Sequence, residues 1–211
     1  MRARLAMSAL SVLLTMAALV TAAPAQQPIV LKLSHFLGPT SFFQVDFAQP
    51  WAHELEARTN GKVKVEIFDS TSPYGEVTKQ AAQVEAGTID IALGLRGAEQ
   101  DRFPRSAVAE LPFVVHDSLS GSRALWGVAR KGLFGGEWDG YKLLALSVHN
   151  PGLIHTASKR IVAPADMKGV RFRAPNKAVA AALDSLGAVP VILQVNDVMT
   201  AVQAHRIDGI V

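Results

Sequence analysis

Val84-Glu85-Ala86-Gly87-Thr88-Ile89-Asp90 and Val202-Gln203-Ala204-His205-Arg206-Ile207-Asp208 are two versions of one local plan, and their reading decides the fold. Each is a helix end, a tight turn and the opening of a strand that begins Ile-Asp. A weaker echo is the Lys/Gly turn that opens an alternating strand at Gly61-Lys62 and again at Lys168-Gly169. Two copies of one α/β plan point to two similar lobes instead of one extended sheet; chance similarity over so few positions is the alternative.

Around the first copy, Ile29 to His35 reads as a strand, apolar at most positions as a sheet centre would be. A helix is expected from Phe42 to Arg58 with Phe43, Phe47, Trp51 and Leu55 on one face, kinked or broken at Pro50. Asn60-Gly61 ends it. Val63 to Phe68 alternates as a second strand, Asp69 to Gly75 is a loop, Glu76 to Ala86 a second helix and Ile89 to Gly94 a third strand. Strands alternating with helices on short connections imply a parallel sheet. Between Leu95 and Gly140 the pattern is less regular; Ala109 to Val115 reads as a buried apolar segment and Ser120 to Lys131 as a helix. Tyr141 to Val148 and Ile154 to Ala157 read as strands.

Around the second copy, Val170 and Phe172 alternate with Arg171 and Arg173, the period of a strand with one buried face, and Pro175 ends its ladder. Lys177 to Leu186 is helical with Gly187 closing it, Val189 to Val191 is short and extended, and Asp197 caps a helix running to about His205. Ile207 to Val211 begins a strand with no turn or cap behind it, leaving a sheet edge unfinished. The 211 residues are therefore expected to be less than the whole functional protein.

Composition narrows the function classes. Arg2 and Arg4 precede an apolar run from Leu5 to Val20 and the small residues Thr21 to Ala25, the order of a secretory signal cleaved after Ala25. An uncleaved anchor is the alternative, although the run is shorter than the roughly 20 residues of a membrane span. Removing residues 1–25 takes away two arginines and no acid, so the formal charge falls from +3 to +1, which argues against a nucleic-acid partner. With no cysteine, the chain has no disulfide framework and no zinc site of cysteine type. His149 and His155 lack partners at metal-ligand spacing, and no nucleophile elbow, phosphate loop or dinucleotide fingerprint is present, so no cofactor is expected.

The site expectation follows from Arg173. In open α/β sheets ligands sit outside the carboxyl ends of strands, and a guanidinium delivered there is a rigid two-pronged donor for a carboxylate. Asn176 and the amides at the helix start near Lys177 could add neutral donors. Phe36, Tyr74 and Arg96 lie in loops after strands or before helices, where a cleft would be lined. Arg171 is expected to be a solvated strand charge, and His35 a satisfied structural histidine.

Taken together, Leu31-Lys32-Leu33-Ser34-His35, Gly75 and its helix, Ala86 to Asp90, Glu110-Leu111-Pro112-Phe113, Asp166 to Asn176, and Ala201-Val202-Gln203 with Ile207-Asp208-Gly209 resemble, in order and spacing, the periplasmic solute-binding proteins of tripartite ATP-independent periplasmic (TRAP) transporters, dicarboxylate-binding members included. The resemblance implies a bilobed α/β periplasmic-binding-protein fold whose lobes are joined by crossing strands and a long helix, with the C-terminal part missing. It implies a signal peptide at 1–25, a first lobe at 26–149 and a partial second lobe at 150–211 that ends at the start of a crossing strand. It also implies a periplasmic receptor, not an enzyme, that delivers a small organic anion to membrane-embedded permease subunits. Arg173 matches the family arginine that grips the ligand carboxylate, Asn176 a position near the ligand, and Asp208-Gly209 the crossing segment. The chain departs from the family where Met199 replaces a common tyrosine and where Leu153 stands in place of a second arginine of acidic-sugar binders. These departures favour a smaller or more apolar monocarboxylate or dicarboxylate. The alternatives are an exported hydrolase or lyase using His35 or His155 with a carboxylate, and a sensor module of the same fold.

Overall fold

A computed structural model describes residues 27–99 and 101–211; the expected signal segment lies outside the described residues. Two sheets carry the fold. In the first, β1 (Ile29–His35) is central, flanked in parallel by β2 (Val63–Phe68) and β3 (Ile91–Leu93). In the second the order is β4-β7-β5-β6, from His155–Thr156, Gly209–Ile210, Arg171–Ala174 and Val189–Ile192. There β5 pairs in parallel with β6 and β7, while β4 runs antiparallel to β7. The helices are α1 (Gln49–Arg58), α2 (Gln80–Glu85), α3 (Ser118–Arg130), α4 (Lys177–Ser185) and α5 (Val198–Gln203).

The sequence echo is an echo in three dimensions. After α2, Thr88 N–H donates to the Gln83 carbonyl and Gly87 N–H to that of Val84; after α5, Arg206 N–H donates to Ala201 and His205 N–H to Val202. Both are the crossed pair of bonds that closes a helix through a left-handed residue, with φ +68° at Gly87 and +52° at His205. Ile89 and Ile207 then drop into the core, 1% and 4% exposed. Asp90 donates its N–H to the Lys32 carbonyl, and its carboxylate accepts the Lys32 N–H at 2.8 Å. Asp208 does the same with Arg171, at 2.9 Å. The aspartate in each copy thus ties a new strand to its neighbour just before the ladder begins.

Three sequence expectations are corrected. The first helix opens as a wider π-type turn over Phe43–Ala48 before α1, which puts Pro50 in the first α turn, where its missing N–H costs nothing. The buried stripe becomes Gln44, Ala48 and Ala52, and Phe47 turns outward, 55% exposed. Ala109 to Val115 is not buried: Pro112 and a left-handed Phe113 (φ +66°) keep it out of any ladder, and Phe113 is 92% exposed. Tyr141 to Val148 forms no ladder; the Ser122 hydroxyl takes up the Val148 N–H and donates to its carbonyl in place of a strand neighbour.

The apolar core under the second sheet comprises Met167, Val170, Phe172, Ala174, Ala180, Leu183 and Ala188. Alternation in β5 buries Phe172 and Ala174 and turns Arg171 and Arg173 to the opposite face. Pro190 sits on β6, an edge strand, where a missing donor is tolerated. Among the described residues no helix is long and apolar enough to cross a membrane.

Candidate functional site

The carboxyl ends of β1, β2 and β6 lead into three loops that line a cavity of about 290 Å³. Phe36 follows β1; Ser70, Ser72, Pro73, Gly75, Glu76 and Val77 follow β2; Gln194, Val195 and Asn196 follow β6. The walls come from both sheets and alternate apolar faces with hydroxyls and amides. A second cavity of about 440 Å³, bounded by Thr78, Ala98, Glu99, Asp101 and Arg102, is lined mainly by polar groups and lacks an apolar floor. The smaller one has the mixed lining of a small-molecule site.

A buried polar network fixes the first two loops. Ser34 Oγ donates to Gln80 Oε1 at 2.6 Å, and Gln80 Nε2 donates to the Tyr74 and Glu76 carbonyls at 2.8 and 3.0 Å. Gln83 adds a bond to the Tyr74 carbonyl at 3.1 Å. His35, fully buried, accepts the Leu37 N–H at Nδ1, so its proton sits on Nε2 and is donated to Gln44 Oε1. This is the structural histidine expected from sequence. Asp69 holds the turn by accepting the Thr71 N–H and hydroxyl, both at 2.7 Å, and these bonds hold its carboxyl below the usual carboxylate range. At Gly75 a Cβ would lie 2.4 Å from the Ser70 main chain, so only glycine lets the loop fold back on itself.

Arg173 stands at the end of β5. Its Nε donates to the Leu193 carbonyl at 3.1 Å, next to the cavity wall at Gln194, and its Nη1 to the Val211 carbonyl at 3.0 Å. Both partners are main-chain oxygens, no aspartate or glutamate among the described residues pairs with it, and burial pushes its pKa down. Asn176 caps α4, its Oδ1 accepting the Val179 N–H at 2.9 Å. Arg171 corrects the expectation of a solvated strand charge: it grips Asp208 with Nε and Nη2 at 2.9 and 2.5 Å and gives Nη1 to the His205 carbonyl. That fork and the Arg171 N–H hold the Asp208 carboxyl at about 2.

The other anticipated residues divide. Phe36 lies in the cavity wall, whereas the Tyr74 ring packs edge-on against Phe68 at 5.0 Å and serves the loop through its carbonyl. Met199 lies on α5, 65% exposed and outside the cavity lining. Arg96 is paired with Glu110 at 2.9 Å, and its Nε is buried with no partner among the described residues.

The α/β plan of two mainly parallel sheets agrees with the comparisons to known proteins. Residues 33–211 match the model of the bacterial extracellular solute-binding proteins, family 7 (DctP). The chain belongs to this family. A TRAP solute-binding protein from Rhodoferax ferrireducens T118, solved with copurified benzoate, is 31% identical with a TM-score of 0.79 over 86% of this chain and 56% of its own. One from an unidentified marine microbe, specific for aromatic acid ligands and solved with 3-hydroxybenzoate, is 33% identical with a TM-score of 0.81 over 87% of this chain and 57% of its own. A protein of Comamonas testosteroni, outer membrane transporter protein TsaT, is 31% identical over 83% of this chain and 51% of its own length. This family 7 chain thus spans about half the length of the relatives it matches.

Two groups of residues escaped the sequence reading. Gln194, Val195 and Asn196 could have been found from the rule that ligands gather at strand carboxyl ends, since they follow the extended Val189 to Val191 segment. Gln44 and Gln80 carried no such signal, because nothing in a helical pattern distinguishes a glutamine that is 0% exposed, as Gln80 is, from one in solvent.

Proposed function

We propose that this family 7 chain is the receptor part of an exported solute-binding protein that takes a small organic carboxylate and presents it to TRAP-type permease subunits in the membrane. One observation carries the reading. Arg173 is a half-buried guanidinium at a strand end, beside a cavity wall, with only carbonyl oxygens as partners. A buried cation without a counter-ion is costly, and an arriving carboxylate removes that cost through a charge-assisted bidentate bond. Ligand binding therefore favours the closed arrangement of the lobes, because the closed state alone desolvates the pair. The lobes correspond to residues 26–149 and 150–211, with export directed by residues 1–25.

Within the site, Arg173 holds the carboxylate, Asn176 supplies its amide N–H₂ while its oxygen caps α4, and Phe36, Val77 and Val195 face the apolar body of the ligand. Arg96 acts from the loop beside Asn176. An aromatic acid suits this mixture, in keeping with the benzoate and 3-hydroxybenzoate of the two solved relatives. The protein acts by binding and carries out no bond chemistry: His35, the histidine nearest the strand ends, is locked between Leu37 and Gln44 and unavailable as a base. Thermal-shift measurement against benzoate, 3-hydroxybenzoate, mandelate and succinate tests the proposal. Stabilisation by at least one acid at sub-millimolar concentration is expected, and no stabilisation by any of them overturns it.

A further inference from the structure

Three arginines, Arg96, Arg171 and Arg173, differ in their partners. Arg171 is neutralised by Asp208, with Nη2 to Oδ1 at 2.5 Å. Arg96 is neutralised by Glu110 at 2.9 Å, in a pair that is partly open to solvent on the Glu110 side, the side chains 12% and 28% exposed. Arg173 meets carbonyls only. The Arg96–Glu110 pair is not remote from Arg173. A Cβ placed on Gly97 would be 2.7 Å from Asn176 Nδ2 and 3.0 Å from Glu110 Oε1, so the loop carrying the pair lies directly on the residue three positions after Arg173. Glycine at 97 is what permits that approach. Of the other charges nearby, Glu76 is paired with Lys79 at 2.6 Å, Glu99 lies 3.7 Å from Arg102, and the Asp69 carboxylate is taken up by Thr71.

We infer that Glu110 is a specificity-determining residue: by holding Arg96 in an ion pair it leaves Arg173 as the one of these three guanidiniums with no aspartate or glutamate partner, so the cleft is tuned to ligands with one carboxylate and against those with two. This inference rests on the receptor reading above. A second carboxylate entering the cleft would find Arg96 already engaged and would lie near the Glu110 charge, and like charges brought together out of water repel strongly. Breaking the pair from the acid side frees Arg96; breaking it from the basic side removes the Arg96 charge and keeps the Glu110 charge.

Benzoate and isophthalate share a ring and differ by one carboxylate, so the ratio of their dissociation constants, measured by calorimetry on the 211-residue chain, reads the preference directly. Wild type is expected to favour benzoate by roughly tenfold or more. Glu110→Gln should move the ratio toward isophthalate by roughly tenfold, and Arg96→Gln should move it further toward benzoate. An unchanged ratio in both variants overturns the inference while leaving the receptor reading intact, as does equal or tighter binding of isophthalate by wild type. Should Glu110→Gln fail to fold, Arg96→Gln and the wild-type ratio still decide. Wild-type binding of neither benzoate, isophthalate nor the acids of the thermal-shift panel overturns both readings.

Discussion

β1 and β5 are the central strands of two sheets built on the same plan, yet they bury opposite chemistry. β1 ends on Ser34 and His35, both 0% exposed and both hydrogen-bonded to buried glutamines, so the interior beneath its carboxyl end is a polar network. β5 buries Phe172 and Ala174, also 0% exposed, against an apolar cluster that includes Met167 and Leu183. The difference follows from what each strand end must hold. The first sheet holds two loops, in which the Tyr74 and Glu76 carbonyls take side-chain donors; the second holds the long cationic side chain of Arg173, which needs a rigid base. Polar burial gives direction, because each bond has a geometry, and apolar burial gives most of the stability.

Removing the centre of the apolar side should have the largest effect. Phe172→Ala is expected to lower unfolding free energy by about 3–5 kcal/mol, the range for emptying a buried aromatic site, measured by urea denaturation. A loss below about 1 kcal/mol would mean that the second sheet does not rest on this ring.

On the polar side, Gln80→Leu leaves the Ser34 hydroxyl without its partner and removes one of the two bonds to each of the Tyr74 and Glu76 carbonyls. A loss of about 1–3 kcal/mol is expected, together with faster hydrogen exchange of the amides at Glu76 and Val77. Normal exchange there would show that the loop holds itself and that the network is incidental.

The aspartates that end the two repeats give a finer test, since Asp90 meets only main chain from Lys32 while Asp208 also meets the Arg171 guanidinium. With its folded pKa lowered to about 2, Asp208 contributes stability that is fully present above the ordinary carboxylate range, about 3.9, and is lost as pH falls through the folded value. Wild type should therefore lose stability between about pH 4 and pH 2, and Asp208→Asn should be less stable at neutral pH with a flatter profile across that window. The side chains are about two-fifths exposed, so the change is modest and shrinks in salt. Parallel profiles for the two proteins would contradict the assignment.

Much of this plan could be read before any coordinates. The repeated Ile-Asp openings gave both sheets, because helix closure, a left-handed turn and a tying carboxylate are local events written in adjacent residues. The alternation in β5 showed which arginines share a face. It could not show that Arg171 is taken by Asp208, a partner 37 residues away. Composition misled at Leu111, Phe113 and Val114, where apolar side chains have no cover among the described residues, and at Tyr141 to Val148, where strand-like residues find no neighbouring strand. Burial depends on what another part of the chain brings alongside, and periodicity reports only what a segment is able to bury.

The central claim is the proposal that Arg173, resting on the apolar sheet and bonded to Leu193 next to the cavity wall at Gln194, is the clamp for a carboxylate. Calorimetric titration of wild type and Arg173→Ala with benzoate tests it most directly. Loss of a desolvated, charge-assisted contact should weaken binding by roughly a hundredfold or more while secondary structure by circular dichroism is retained. Affinity within about threefold of wild type, at roughly 0.7 kcal/mol, would contradict it.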